Sequence, residues 1–324
     1  MHCRIAPRLN QVVVEDLGTP NGTWVDGRRV QAAVLRPGST LTLGGAGGPG
    51  VARLRGEPAR RPRTSAVLGR SREPLPASGD ALRARLDVTI GDQAGRLFLF
   101  AGPRLRFGRN RARDDGAREN DLLLRAFPRH PREAASRVKE RTGNVSGQHG
   151  AFLLTKDGVA VRDTSTLGTK LDGKRLPEGE VVPFAEQFVL EVADAVGLRG
   201  SVYRADVDLD GHPVAAVRLE RTRDGEHHTY VWIVREVSIG SGPEDAIGLP
   251  AQLDDEVETG VLPSHARLLA RDGRFVLTPT REGGRVEVGG FGPVGAGVQV
   301  TLEDGAEVRL GDLRLRFSSQ RARS

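Results

Sequence analysis

One pattern of strand-like segments occurs twice in this chain, and that repetition limits the folds available to it. Residues 86–109, LDVTIGDQAGRLFLFAGPRLRFGR, are matched by residues 217–241, VRLERTRDGEHHTYVWIVREVSIGS. Each reads as a hairpin with a polar glycine-containing turn, a second apolar strand, and a third strand closing on Phe-Gly or Ile-Gly. After Gly108-Arg109 come NDLLL, VSGQHGAFLL, GVAVRD and LPEGEVVPFAEQFVLEV; after Gly240-Ser241 come AIGLP, VLPSHARLL, GRFVLTP and LEDGAEVRLGDLRLRF. Self-similarity at this scale predicts two copies of one unit, at 82–196 and 200–318. The opening stretch, HCRI, QVVVEDL and LRPGSTLTLG, matches only the second half of that unit, which gives a further half-unit over 1–46.

The composition supports an all-β reading. With 42 glycines, 19 prolines and 4% aromatic residues in 324, the chain favours many turns and short strands over long helices. Between the first two units the strand pattern lapses. GGAGGPG at 44–50 and the Arg/Pro/Ser stretch that follows read as a flexible basic linker over 47–81, in which Arg53, Arg55, Arg60, Arg61, Arg63, Arg70 and Arg72 face only Glu57 and Glu73. The run lacks aromatic residues to stack on bases, so it reads as a solvated, disordered spacer and not as a nucleic-acid surface. Thr64, beside arginines in that spacer, is an accessible phosphorylation candidate.

Other classes find little support. Cys3 is the single cysteine, so neither an intramolecular disulfide nor a cysteine zinc site is expected, and a reducing cytoplasmic setting follows. No apolar run reaches the roughly 18 to 20 residues that span a bilayer, and the first residues lack a signal-peptide core. DVDLDG at 206–211 imitates a calcium loop, but its twelfth position is Val217 and Pro213 intrudes, so a turn at Asp210-Gly211 is expected. His227 and His228 are neighbours in an extended segment and point to opposite faces. No nucleophile, base and acid arrangement marks an enzyme, and neither a metal nor a cofactor is expected. The insert RAFPRHPREAASRVKERTGN, 125–144, is expected to be helical in part.

The middle unit carries three spaced motifs: Gly108-Arg109, then Ser146-x-x-His149, then DTSTLGTKLDG over 163–173. Together they resemble the forkhead-associated (FHA) domain family, with its Gly-Arg, Ser-x-x-His and Asn-Gly-Thr pattern. The resemblance implies tandem antiparallel β-sandwiches whose end loops bind a phosphothreonine in a partner peptide. It assigns Arg109 to the phosphate, Ser146 to a hydroxyl and amide that hold it, and Thr166 to a further hydroxyl. His149 then braces the loop, and Gly108, Gly168 and Thr169 support the turns. The chemistry is sound on its own terms, since a phosphate dianion suits a guanidinium fork beside hydroxyl and amide donors. Taken singly, Arg109 is an ordinary surface arginine and His149 an ordinary core histidine; their joint spacing points to a site.

Departures from the pattern differ between units. In the middle unit Gly147 follows the serine where the family often has a cation or amide, and Leu167 replaces the asparagine that bonds the peptide backbone. The first unit, DLGTPNGTWVDG over 16–27, keeps Asn21, Gly22 and Thr23, and has His2 where the bracing histidine belongs. Its cut inside a motif leads to the expectation of a start upstream of Met1, the alternative being that another chain completes the half-unit. In the last unit Ser241 replaces the arginine, Leu262 replaces the serine, and only His265 remains, which marks it as a structural or docking domain. The expected function is a cytoplasmic phosphothreonine-dependent adaptor in Ser/Thr kinase signalling, its partner a threonine-phosphorylated protein such as a kinase or its substrate, with no membrane. The competing expectation is a scaffold or oligomerisation protein that uses the same sandwiches without phosphate.

Overall fold

The computed structural model describes residues 3–8, 11–35, 39–44, 50–53, 81–90, 93–110, 119–128, 132–156, 158–205, 212–223, 226–253, 257–280 and 284–320. His2, the spacer over 54–80 with Thr64, and the 206–211 turn lie outside them. Among the described residues the chain is almost wholly β, in mainly antiparallel sheets, with one short helix.

The first unit contains β1 (Cys3–Arg8), β2 (Gln11–Asp16), β3 (Thr23–Val25), β4 (Arg28–Val30), β5 (Ala32–Leu35), β6 (Thr40–Leu43) and β7 (Gly50–Arg53). They form a three-stranded sheet, β1-β2-β5, and a four-stranded sheet, β4-β3-β6-β7, around Val14, Val25, Leu35 and Leu41. The turn Asp26-Gly27 joins β3 to β4 with both residues at positive φ, 48° and 81°, as a tight hairpin with the strands' own twist requires. Residues 50–53, which composition assigns to the linker, pair with β6 instead, so the sheet runs past the expected boundary at 46.

The rest of the chain comprises β8 (Leu82–Ile90), β9 (Gln93–Ala101), β10 (Arg104–Gly108), β11 (Leu122–Leu123), α1 (Ala135–Asn144), β12 (Gly150–Thr155), β13 (Gly158–Asp163), β14 (Thr169–Leu171), β15 (Lys174–Arg175), β16 (Val181–Pro183), β17 (Gln187–Val192) and β18 (Val196–Arg204). The second copy adds β19 (Val214–Arg223), β20 (Glu226–Ile233), β21 (Val237–Gly240), β22 (Ile247–Gly248), β23 (Gln252–Leu253), β24 (Val257–Glu258), β25 (Ala266–Arg271), β26 (Arg274–Pro279), β27 (Val286–Val288), β28 (Gly292–Pro293), β29 (Val300–Leu302), β30 (Glu307–Leu310) and β31 (Leu313–Gln320).

Strand pairing does not follow the contiguous units 82–196 and 200–318. The opening hairpin of the middle copy, β8-β9, pairs through β8 with β31, the last strand of the final copy. The opening hairpin of the final copy, β19-β20, pairs through β19 with β18, the last strand of the middle copy. The two hairpins then meet as a parallel pair, Thr229↔Leu97 through Ile233↔Ala101, and close one 12-stranded sheet. A five-stranded sheet, β11-β10-β12-β13-β16, belongs to the middle sandwich, and its counterpart β22-β21-β25-β26-β29 to the last.

Side-chain alternation explains how one sheet serves two cores. On β9, Leu97, Leu99 and Ala101 enter the core of the last sandwich, while Phe100 enters the middle one with Phe98 packed against it. On β20, Val231 and Ile233 face the last sandwich, and Tyr230 and Trp232 the middle one. Because successive side chains point to opposite faces, the two cores lie on opposite sides of the shared sheet. Paired residues share a face, so Phe98 and Phe100 join Tyr230 and Trp232 in one core while Leu99 and Ala101 join Val231 and Ile233 in the other. The exchange leaves neither β9 nor β20 as an open edge. The fully buried Trp232 indole donates from Nε1 to the Gly102 carbonyl at 2.9 Å, tying the second hairpin to the chain leaving the first.

Arg85 of β8 lies opposite Ser318 of β31 on the face away from the Leu86 and Phe317 side chains. A Cys3→Ser, Arg85→Cys, Ser318→Cys protein is therefore expected to oxidise to an intramolecular disulfide. Closing so long a loop should stabilise the fold by roughly 2–4 kcal/mol, read as a raised melting temperature, with peptide mapping by mass spectrometry to locate the bond. Contiguous folding of each repeat would yield no such monomeric cross-link.

Candidate functional site

The site is built on the end of β10, where backbone crowding fixes the residue types. Gly108 is buried, and a β-carbon there would meet Asn120 Nδ2 and Oδ1 at 2.9 Å and would overlap the Gly147 carbonyl, so only glycine fits. Immediately after it, Arg109 N–H donates to the Ser146 carbonyl at 3.0 Å and Arg109 Nε–H to the Val145 carbonyl at 3.0 Å. These two bonds pin an otherwise exposed side chain to the Ser146 loop. Its terminal guanidinium nitrogens make no hydrogen bond among the described residues. Ser146 is half-buried beside it.

His149 is fully buried and joins the two loops of the site. Its Nδ1 accepts the Ser146 N–H at 3.0 Å, and its carbonyl accepts the Thr164 N–H at 2.9 Å and the Thr164 hydroxyl at 3.2 Å. An acceptor at Nδ1 places the ring proton on Nε2, which faces Asp163 Oδ1 at 3.8 Å. Burial holds the imidazole pKa below its ordinary value, against a smaller opposing pull from the Asp163 carboxylate. Asp163 Oδ1 accepts the Ser165 N–H at 3.0 Å, and Ser165 Oγ accepts the Gly168 N–H at 2.9 Å. Gly168 has φ of 84°, which favours glycine, and this turn presents Thr166 and Leu167 outward, both exposed. Thr169 is buried at the start of β14.

Arg109, Ser146 and the loop bearing Thr166 are thus gathered around one buried histidine. Leu167 is 51% exposed and is held by no core contact. The glycine after the serine also has a spatial cause: a β-carbon at Gly147 would lie 2.6 Å from Asn110 Nδ2 and 3.3 Å from Glu119 Oε1. An amide from Asn110 already fills that volume.

Several supporting residues escape a motif search. Asn120 Nδ2 donates to the carbonyls of Asn110 at 2.8 Å and Gly147 at 2.6 Å, which fixes the turn on either side of Arg109. Arg83 of the exchanged hairpin reaches over to the Asn120 carbonyl and, at 3.4 Å, to Asp121 Oδ1, which is nearly inaccessible and also held by Arg106. The insert contains α1, as expected, and is anchored from the other exchanged hairpin. Phe127 lies beneath the Arg221 guanidinium, 3.4 Å from the ring centroid, with the His228 ring edge-on at 5.1 Å. Arg141 Nη2 donates to the Phe127 carbonyl at 2.6 Å, and Ala126 N–H to Thr142 Oγ1 at 3.0 Å. The helix then delivers the chain into Val145 and Ser146.

The last sandwich keeps the brace without the donors. Ser241 N–H donates to the Leu262 carbonyl, Leu262 N–H to His265 Nδ1 and Thr280 N–H to the His265 carbonyl, at 3.0, 3.0 and 3.1 Å. Asp245, nearly inaccessible, takes the place of Asn120 and accepts from Ser264 N–H at 3.1 Å. Ser241 stands there in place of the Arg109 guanidinium, and Leu262 in place of the Ser146 hydroxyl. In the first unit Asn21 is exposed, and Asp16 gathers the Thr23 hydroxyl at 2.7 Å, the Thr19 hydroxyl at 2.7 Å and the Thr19 and Gly18 amides at 3.0 Å. Those bonds, that from Thr23 foremost, hold its carboxyl down at about 2.

The FHA domain family profile matches residues 1–44, the opening unit. No curated protein matches the chain. Solved structures similar to it include one from a study of phosphothreonine-dependent FHA domain interactions, 22% identical, covering 33% of this chain and 99% of that one with a TM-score of 0.25. Another is the FhaA FHA domain complexed with the intracellular domain of Rv3910, 24% identical, covering 29% of this chain and 91% of that one with a TM-score of 0.23. A third is the yeast Dun1 FHA domain with a doubly phosphorylated peptide derived from Rad53, 15% identical, covering 49% and 97% of the two chains with a TM-score of 0.22.

A histidine held neutral by burial gives a signed pH dependence. The unfolded chain takes up the proton first, so the contribution of His149 to stability is complete above its ordinary value of 6.5 and erodes as pH falls below it toward the lower folded value. Nitrogen-15 NMR should show His149 as the Nε2–H tautomer at pH 7 and still neutral when exposed histidines have titrated.

Proposed function

We propose that the middle sandwich binds a threonine-phosphorylated segment of a partner protein and that the chain is a phosphothreonine-dependent adaptor in cytoplasmic Ser/Thr kinase signalling. The observation that carries this reading is the Arg109 side chain. Its Nε is spent on the Val145 carbonyl, which aims the remaining guanidinium fork beside Ser146 at the end of a rigid sandwich. A phosphate dianion bound there would receive two charge-assisted bonds from the fork and further donors from Ser146 and Thr166. Fixing the guanidinium in advance lowers the ordering cost of binding. The FHA match at residues 1–44 supports the family chemistry for the opening unit, where Asn21, Gly22 and Thr23 stand intact. His2 lies outside the described residues.

For the last sandwich the observations favour a structural role. It keeps the histidine brace and completes the shared sheet, and it presents Ser241 and Leu262 where phosphate donors would be needed. That unit serves the scaffold reading within the same molecule.

Two substitutions test the proposal by calorimetry against a degenerate phosphothreonine peptide pool and its unphosphorylated counterpart. Arg109→Ala should weaken phosphopeptide binding by about 2–4 kcal/mol, since it removes the strongest charge-assisted contact. Leu167→Asn should strengthen binding by about 1 kcal/mol, because the new amide can bond the peptide backbone. As Leu167 is exposed, its melting temperature should stay at the wild-type value. Unchanged phosphopeptide affinity in a folded Arg109→Ala protein would defeat the adaptor reading.

A further inference from the structure

A second guanidinium lies on the rim of this loop. Arg175, in the short strand β15, is exposed, and its Nη2, Cζ and Nε come within 2.9, 3.0 and 3.0 Å of where a β-carbon on Gly168 would stand. The group therefore rests flat on the glycine that follows Leu167. It donates no hydrogen bond and forms no ion pair among the described residues. Its charged neighbour on β14, Lys170, is already paired with Asp194 at 2.6 Å. An arginine held at a fixed place with its donors unspent is suited to a planar bidentate anion.

The other units bear on its purpose. In the first, Arg29 occupies the corresponding place, its guanidinium over Gly22, where it donates from Nη2 to the Pro20 carbonyl at 3.2 Å. Arg29 is thus engaged by its own loop. In the middle unit the loop from the aspartate to the Gly-Thr pair is one residue shorter, and Arg175 makes no such bond. In the last unit, which has lost the phosphate donors, Pro293 pairs opposite Glu287 as Arg175 does opposite Lys170, and the nearby Arg285 guanidinium is spent on Glu287 at 3.0 Å. The free arginine accompanies the loop set that carries Arg109 and Ser146.

We propose, resting on the phosphothreonine reading, that Arg175 is a specificity-determining residue that receives a carboxylate of the bound peptide. Gly168 and Thr166 belong to the same tight turn, so the carboxylate is placed close to the phosphothreonine along an extended peptide, within about three residues on either side. The contact is at an exposed rim, so it sets preference among phosphopeptides and adds less than the phosphate itself.

The test uses the full chain and phosphothreonine peptide pools with Glu or Gln fixed at each of those positions on either side, read by fluorescence anisotropy. Wild type should prefer Glu over Gln by about three- to tenfold at one position, and the preference should shrink as salt is raised. In Arg175→Gln the ratio should fall to about one, and Arg175→Lys should restore part of it. Equal loss for both peptides in Arg175→Gln, with the ratio kept, would show that Arg175 only shapes the loop and would overturn the inference. Absence of a preference in a wild-type protein that binds phosphopeptide would overturn it while leaving the adaptor reading intact. Failure of wild type to bind any phosphorylated pool would overturn both.

Discussion

β9 and β20 come from different repeats and run side by side in parallel, and the larger architecture follows from that pairing. Each strand contributes to two cores because its side chains alternate between faces. Once β9 offers Leu97 and Leu99 to one sandwich and Phe98 and Phe100 to the other, those sandwiches must lie on opposite sides of one sheet. Burying a side chain such as Phe100 or Trp232 contributes roughly 1.5–3 kcal/mol, so this seam is a substantial part of the fold and not a surface contact between finished domains. The hairpins flanking it are exchanged as a consequence: β8 closes against β31, and β19 against β18.

That exchange reaches the candidate site by two routes. Arg83, on one exchanged hairpin, holds the Asn120 backbone and Asp121 beneath the Arg109 turn. Arg221 and His228, on the other, clamp Phe127 and through it the helix that leads into Ser146. The two sandwiches also separate scaffold from chemistry. Both His149 and His265 accept an amide from three residues earlier at Nδ1 and bond the following loop through their carbonyls. Since the brace persists where the arginine and serine are gone, the histidine serves the loop's shape, and the proposed phosphate recognition is assigned to Arg109, Ser146 and Thr166.

The strands, the Asp-Gly hairpins and the three motifs were legible in the sequence because they depend on local rules: alternation, positive φ and spacing. The helical part of the insert was legible in the same way. The exchange was not. The two opening hairpins repeat each other's pattern, so either one satisfies the hydrophobic alternation of either sandwich, and only pairing across the seam decides between them. Reading along the chain therefore gave contiguous units at 82–196 and 200–318, and a linker that absorbed β7. Asn120, Arg83 and Arg175 were missed for a related reason. Each acts through a backbone group or a glycine far away in sequence, which leaves no local mark. Leu167 stood as a changed letter in a motif, and only its exposure shows that packing did not recruit it.

The central claim is that the loops around Arg109 form a phosphothreonine site while the equivalent loops of the last sandwich do not. Hydrogen exchange of the full chain, with and without a saturating phosphothreonine peptide pool, tests it most directly. Protection is expected at 108–110, 146–149 and 164–169, with no change at 240–245 and 262–265 and none on adding the unphosphorylated pool. Protection confined to the last sandwich, or equal protection by both pools, would contradict the account.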